Sequence, residues 1–194
     1  NKIKRIKYFM IMTKEEIILN EYRDCVSTNP VIARNLIRRL DYKNNYYLLQ
    51  CIAQTYLDES RFKEGSDVMR KRFVWRKWKM AEKYIIASFT LNSENAEVLY
   101  TMGEVRKLNY QDDIAIYCFE KIIKMRPREI AQDKYSRGID FARELINDAK
   151  FELYRLYHDN EHMNLSMQYL SMYKNGLKKG ITTIFTPIER FLLD

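Results

Sequence analysis

Residues 96–129 read AEVLYTMGEVRKLNYQDDIAIYCFEKIIKMRPRE. Leu99 and Met102 repeat at helical spacing in the first half, and Ala115 and Phe119 do so in the second. Small residues at Gly103 and Ala115 let two helix backbones come close, and Phe119 is sized to fill the seam between them. Asp112-Asp113 sits at the turn, where Asp caps a helix. Pro127 lacks an N–H and blocks continuation of the second helix. The stretch therefore predicts a tight antiparallel helix hairpin.

Working outward, the pattern returns. Ala81-x3-Ile85 lies 34 residues before Ala115-x3-Phe119. Leu49-x2-Ile52-Ala53-x2-Tyr56 reads as a first helix upstream. Leu153-Tyr154-x2-Tyr157 and Ser166-x3-Leu170 read as a further pair downstream. The span from Tyr56 to Ala81 is too long for this unit, as is the stretch around 128–145. Each predicts an insertion or a lengthened helix.

With Met102-Gly103 followed by Ala115-x3-Phe119 and Pro127, the unit resembles the tetratricopeptide (TPR) repeat family. The resemblance covers roughly residues 45–176 and is specific in the centre, where Arg106 stands in place of the family's Tyr, with Tyr110 nearby. It implies an all-α fold of antiparallel hairpins stacked as a short right-handed solenoid, with irregular insertions and a C-terminal cap. It also implies a concave groove that binds peptides or proteins. On that groove Glu97, Tyr100, Glu104 and Lys107 are the candidate contacts, and they do not resemble the family's Lys/Asn carboxylate clamp.

Toward the N-terminus, Thr13 reads as a helix cap with Glu15 and Glu16 in the first turn. Ile17, Ile18, Tyr22, Cys25 and Val26 follow it. Asn29-Pro30 opens a second helix carrying Ala33, Leu36, Ile37 and Leu40. A third runs from about 45 to 57. Residues 1–12 are basic and predicted to lack fixed structure; their apolar part is too short for a signal sequence, and a start at Met10 or Met12 fits the opening Asn1. Residues 13–180 form the repeat domain. Residues 181–194 are a tail or capping helix starting at Thr186-Pro187, with a docking tail as the alternative.

Five Gly and three Pro are too few for a turn-rich β protein, and 46% apolar with 31% charged residues argues against bulk disorder. Cys25, Cys51 and Cys118 are odd in number and far apart, which favours packed thiols in a reducing, cytoplasmic or otherwise intracellular setting over a disulfide framework or zinc site. No apolar run approaches a membrane span. His158 and His162 are separated by residues that read as a loop, so no metal site is assigned. No catalytic or cofactor motif occurs, so neither an enzyme nor a cofactor is expected.

The strongest local signal is a helix over 70–83 with two faces. Val74, Trp78, Ala81 and Ile85 form an apolar stripe, and Arg72, Arg76, Lys79 and Lys83 a basic one. Trp75 is a candidate stacking residue. The net charge of +8 admits nucleic acid without requiring it. Three readings stand: a non-catalytic protein-binding scaffold, a structural subunit of a nucleoprotein or phage particle, and a nucleic-acid binder acting through residues 70–83.

Overall fold

The computed structural model describes residues 12–61 and 67–186. Among them are nine helices and no strand. The first, α1 (Lys14–Cys25), begins on a capping box: the Glu16 N–H donates to Thr13 Oγ1 at 3.2 Å, and the Thr13 N–H donates to Glu16 Oε2 at 2.7 Å. Ile18, Leu19 and Tyr22 are buried, but Ile17 is 45% exposed. The buried stripe runs through Ile18 and Tyr22, and position 17 sits about 100° away from it. Asn29 caps α2 (Pro30–Ile37) by accepting from the Ile32 N–H, with Pro30 in the first turn.

Asn45 caps α3 (Tyr46–Arg61) and α4 spans Asp67–Leu91. The surplus between Tyr56 and Ala81 therefore goes largely into helix length; residues 62–66 lie outside the described residues. At 25 residues α4 is about 37 Å long. Ala81 and Ile85 are fully buried, while Val74 and Trp78 at the other end are half-buried.

The central hairpin joins α5 (Ala96–Leu108) to α6 (Asp112–Lys124). A Cβ on Gly103 would stand 2.7 Å from the Phe119 ring, so the helices touch where the sequence places its small residue. Leu99, Val98, Val105, Phe119 and Ile122 are fully buried around that contact. Two details differ from expectation. The N-cap of α6 is Gln111, and Asp112 and Asp113 occupy its first turn, where their charge opposes the helix dipole. Tyr110 does not fill the seam left by Arg106. It sits in the turn at φ 57° and is 93% exposed. Arg106 instead reaches Glu82 of α4 at 3.1 Å.

Pro127 opens the short α7 (Pro127–Ala131), followed by α8 (Ile139–Asp159) and α9 (Met163–Lys178). The surplus around 128–145 is thus α7, a connection and the start of α8. That connection clasps the N-terminus of α3. Tyr135 stacks on Tyr47 with centroids 4.4 Å apart, Asn45 Nδ2 donates to the Tyr135 hydroxyl, and the Tyr46 hydroxyl donates to Asp133 at 2.7 Å.

The helices pack as consecutive pairs: α1 with α2, α3 with α4, α5 with α6, α8 with α9. The second helix of each pair also packs on the first helix of the next, and α5 touches both α3 and α8. One continuous core runs from Leu19 to Leu156, with a smaller cluster of Phe151 and Tyr173 under α9. Met163, Leu165, Met167 and Met172 of α9 are exposed. The capping helix expected to start at Thr186-Pro187 lies outside the described residues from 187 onward, and of the basic start over 1–12 only Met12 is described.

Candidate functional site

The helices α1, α3, α5 and α8 share one face. A buried polar ladder crosses it from α3 to α5. Gln50 Nε2 donates to Thr101 Oγ1 at 2.9 Å, Thr101 Oγ1 donates to Gln54 Oε1, and Gln54 Nε2 donates to Asp58. Satisfied polar groups of this kind fix the relative register of two helices. Beside the ladder lies a cleft of about 340 Å³ whose walls include Tyr22, Arg23, Tyr47 and Arg137.

The middle of the face is covered by the chain itself. After α9, Gly180 at φ 76° turns the backbone, and residues 181–186 come back over α8 and α5. Gly176 permits this return, because a Cβ there would overlap the Asn147 amide; Asn147 Nδ2 in turn donates to the Ile181 carbonyl. Asp148, fully buried, takes three consecutive backbone N–H groups: Ile184 at 2.7 Å, Phe185 at 3.2 Å and Thr186 at 2.9 Å. The Thr183 hydroxyl donates to the Thr186 carbonyl and closes the bend. Phe185 stacks on Tyr100 with centroids 4.8 Å apart. Successive N–H groups curved around one anion form a nest, here supplied by the segment and filled by the protein's carboxylate.

All four candidates on α5 face this side, and each is engaged by the chain's own groups. Tyr100 is buried beneath Phe185. Lys107 Nζ is shared between Glu104 and Glu152. Glu97 faces Arg137 at 3.7 Å, its side chain 12% exposed. Burial pushes the Glu97 carboxyl up to about 7, against the pull of Arg137 and Arg23. Burial likewise raises Asp148 to about 6, and the three N–H donors recover only part of that cost.

The raised Glu97 value sets a pH dependence. A carboxyl that titrates higher in the fold than in the unfolded chain contributes stability that is complete below about 4.5 and is lost as pH rises through about 7. Glu97→Gln removes that loss. At pH 8.5 the variant is expected to be more stable than wild type by on the order of 2 kcal/mol. Urea melts at stepped pH check this, and the two curves converge below about pH 4.5.

The second candidate set is on α4. Arg72, Trp75, Arg76, Lys79 and Lys83 are all exposed, Trp75 at 57%. Lys79 pairs with Glu82, whereas Arg72, Arg76 and Lys83 have no carboxylate partner among the described residues. Trp75 and Trp78 overhang a cavity of about 830 Å³, to which α5 contributes Glu104 and Lys107 and α8 contributes Arg155, so the two candidate sets meet there.

Sequence reasoning missed Asp148 and the segment it holds. The available signal was a carboxylate within the apolar stripe of Leu145, Ala149 and Leu153 on α8, since an Asp in a buried stripe needs donors from somewhere. Cys51 and Cys118 pack in the core, where burial pushes them up to about 12 and about 11, so neither thiol is a ready nucleophile. His158 closes α8 and His162 precedes α9. No three His, Cys, Asp or Glu side chains converge on a metal-sized site among the described residues, and no helix there is long and apolar enough to cross a membrane. No family model, no curated protein and no solved structure matches the chain.

Proposed function

We propose that the protein is a non-catalytic, TPR-like interaction scaffold that holds a protein or peptide partner in a groove formed by α1, α3, α5 and α8. The consecutive pairing of the helices, each pair packed on the next, is in keeping with a short right-handed solenoid. The observation that carries the reading is that this face already grips a segment without regular secondary structure. Asp148 binds the segment's backbone and Tyr100 binds its aromatic side chain. A groove that recognises chain in this way supplies affinity through main-chain bonds and specificity through pockets. The three free thiols fit a reducing compartment.

A second reading is nucleic-acid binding through α4. It is favoured by the cations Arg72, Arg76 and Lys83, which have no carboxylate partner among the described residues, around an exposed Trp75, an arrangement suited to phosphates and a stacked base. Recovery of the tagged protein from its native source, with and without nuclease, separates the two. The scaffold reading expects a defined protein partner that survives nuclease and is retained by an Arg72→Glu, Arg76→Glu variant. Loss of all bound material on nuclease treatment, and in that variant, moves the function to α4.

A further inference from the structure

We infer that residues 181–186 are a built-in occupant of the partner site, and that a partner binds by putting a segment of the same chemistry in their place. This rests on the scaffold reading and names the ligand class: an irregular segment with three consecutive free N–H groups and an aromatic residue at the second of them.

Three features support it. First, the face recognises 184–186 mainly through backbone. Asp148 takes N–H groups from three residues in a row, a contact that any non-proline sequence can make. Second, side-chain selection at the stack is confined to one ring, Phe185 on Tyr100. Third, among the described residues the occupied site is open at one end. Ile184 and Phe185 form an edge of the cleft that continues toward Tyr22, Arg23 and Tyr47. A longer segment from a partner gains those contacts, which the strap of residues 181–186 does not make.

That surplus is what competition requires. A tethered segment competes at an effective concentration on the order of millimolar, so an incoming segment prevails only by making additional contacts. The cleft offers the aromatic walls of Tyr22 and Tyr47, with Arg23 and Arg137 balanced there by Asp58 and Glu97. The occupant also has a protective role. With Phe185 seated, Tyr100 is only 3% exposed and the apolar centre of the face is shielded from solvent until a partner arrives.

The test uses the full chain and a fluorescent peptide copying residues 179–186, KGITTIFT, read by anisotropy. Phe185→Ala loosens the strap in cis, and this variant is expected to bind the peptide at least tenfold more tightly than wild type. Thr186→Pro, which removes one donor to Asp148 and lies outside every helix among the described residues, gives the same gain by a second route. Adding Asp148→Ala to either variant abolishes binding, and so does replacing the peptide's Phe by Ala. Circular dichroism confirms that each variant keeps its helices. Binding no tighter in Phe185→Ala and Thr186→Pro than in wild type overturns the inference, as does binding that survives Asp148→Ala. A nuclease-resistant protein partner recovered equally by wild type and Phe185→Ala leaves the scaffold reading standing and removes only the role of the strap.

Discussion

Asp148→Ala is expected to free residues 184–186 while leaving the helical body nearly as stable as before. In the native chain the carboxylate accepts from the Ile184, Phe185 and Thr186 N–H groups at 2.7, 3.2 and 2.9 Å. A hydrogen bond to a charged acceptor contributes about 1.5–3 kcal/mol, yet the three act on one segment and are lost together when it lifts. The opposing term is the burial of the charge. Asp148 titrates at about 6 instead of its usual value near 3.8, so desolvation outweighs what the donors return. Alanine removes both terms. Global stability therefore changes little, with a melting shift of at most about 3 °C. The amides of 184–186 lose their acceptor, and their hydrogen exchange at pH 7 is expected to accelerate roughly a hundredfold, the equivalent of about 3 kcal/mol. Unchanged exchange in the variant contradicts the clamp.

The second large effect is in the central hairpin. Phe119→Ala is expected to cost about 3–5 kcal/mol, because the ring is fully buried between α5 and α6 and edge-on to Tyr100 at 5.4 Å. For a chain of this size the melting temperature falls by roughly 10 °C. The coupling to Gly103 is more diagnostic than the single value. Gly103→Ala alone gains about 1 kcal/mol of helix propensity, but its new Cβ meets ring carbons at 2.7 and 2.9 Å, and overpacking of that kind costs about 1–3 kcal/mol. In the Phe119→Ala background the obstacle is gone and the added methyl fills part of the cavity. There the same substitution is expected to stabilise by about 1 kcal/mol. A double-mutant cycle by urea denaturation measures this; additivity of the two changes contradicts direct contact between Gly103 and Phe119.

The caps and the central hairpin were legible because they are local. Thr13, Asn29 and Gly103 each act on residues a few positions away or one hairpin away, and their residue types leave few alternatives. The two faces of α4 were legible for the same reason, since a 3.6-residue period announces both the buried Ala81 and Ile85 and the exposed Arg72 and Arg76. The two excess stretches were visible only as wrong spacing. Nothing local shows that Tyr135 returns to stack on Tyr47, a contact across nearly half the chain. The same limit hid the site. Glu97, Tyr100, Glu104 and Lys107 were read as one face of α5, but helical periodicity is silent about what covers a face. Phe185 reaches Tyr100 only because Gly176 and Gly180 let the chain after α9 turn back.

The most direct measurement is photo-cross-linking in the native source, with a photoreactive side chain placed at Ser27, on the exposed lip of the cleft, or at Arg76, on the basic face of α4. A nuclease-resistant protein adduct from position 27, absent from position 76, is the expected result. Adducts from position 76 alone contradict the assignment of the α1, α3, α5 and α8 face as the binding surface.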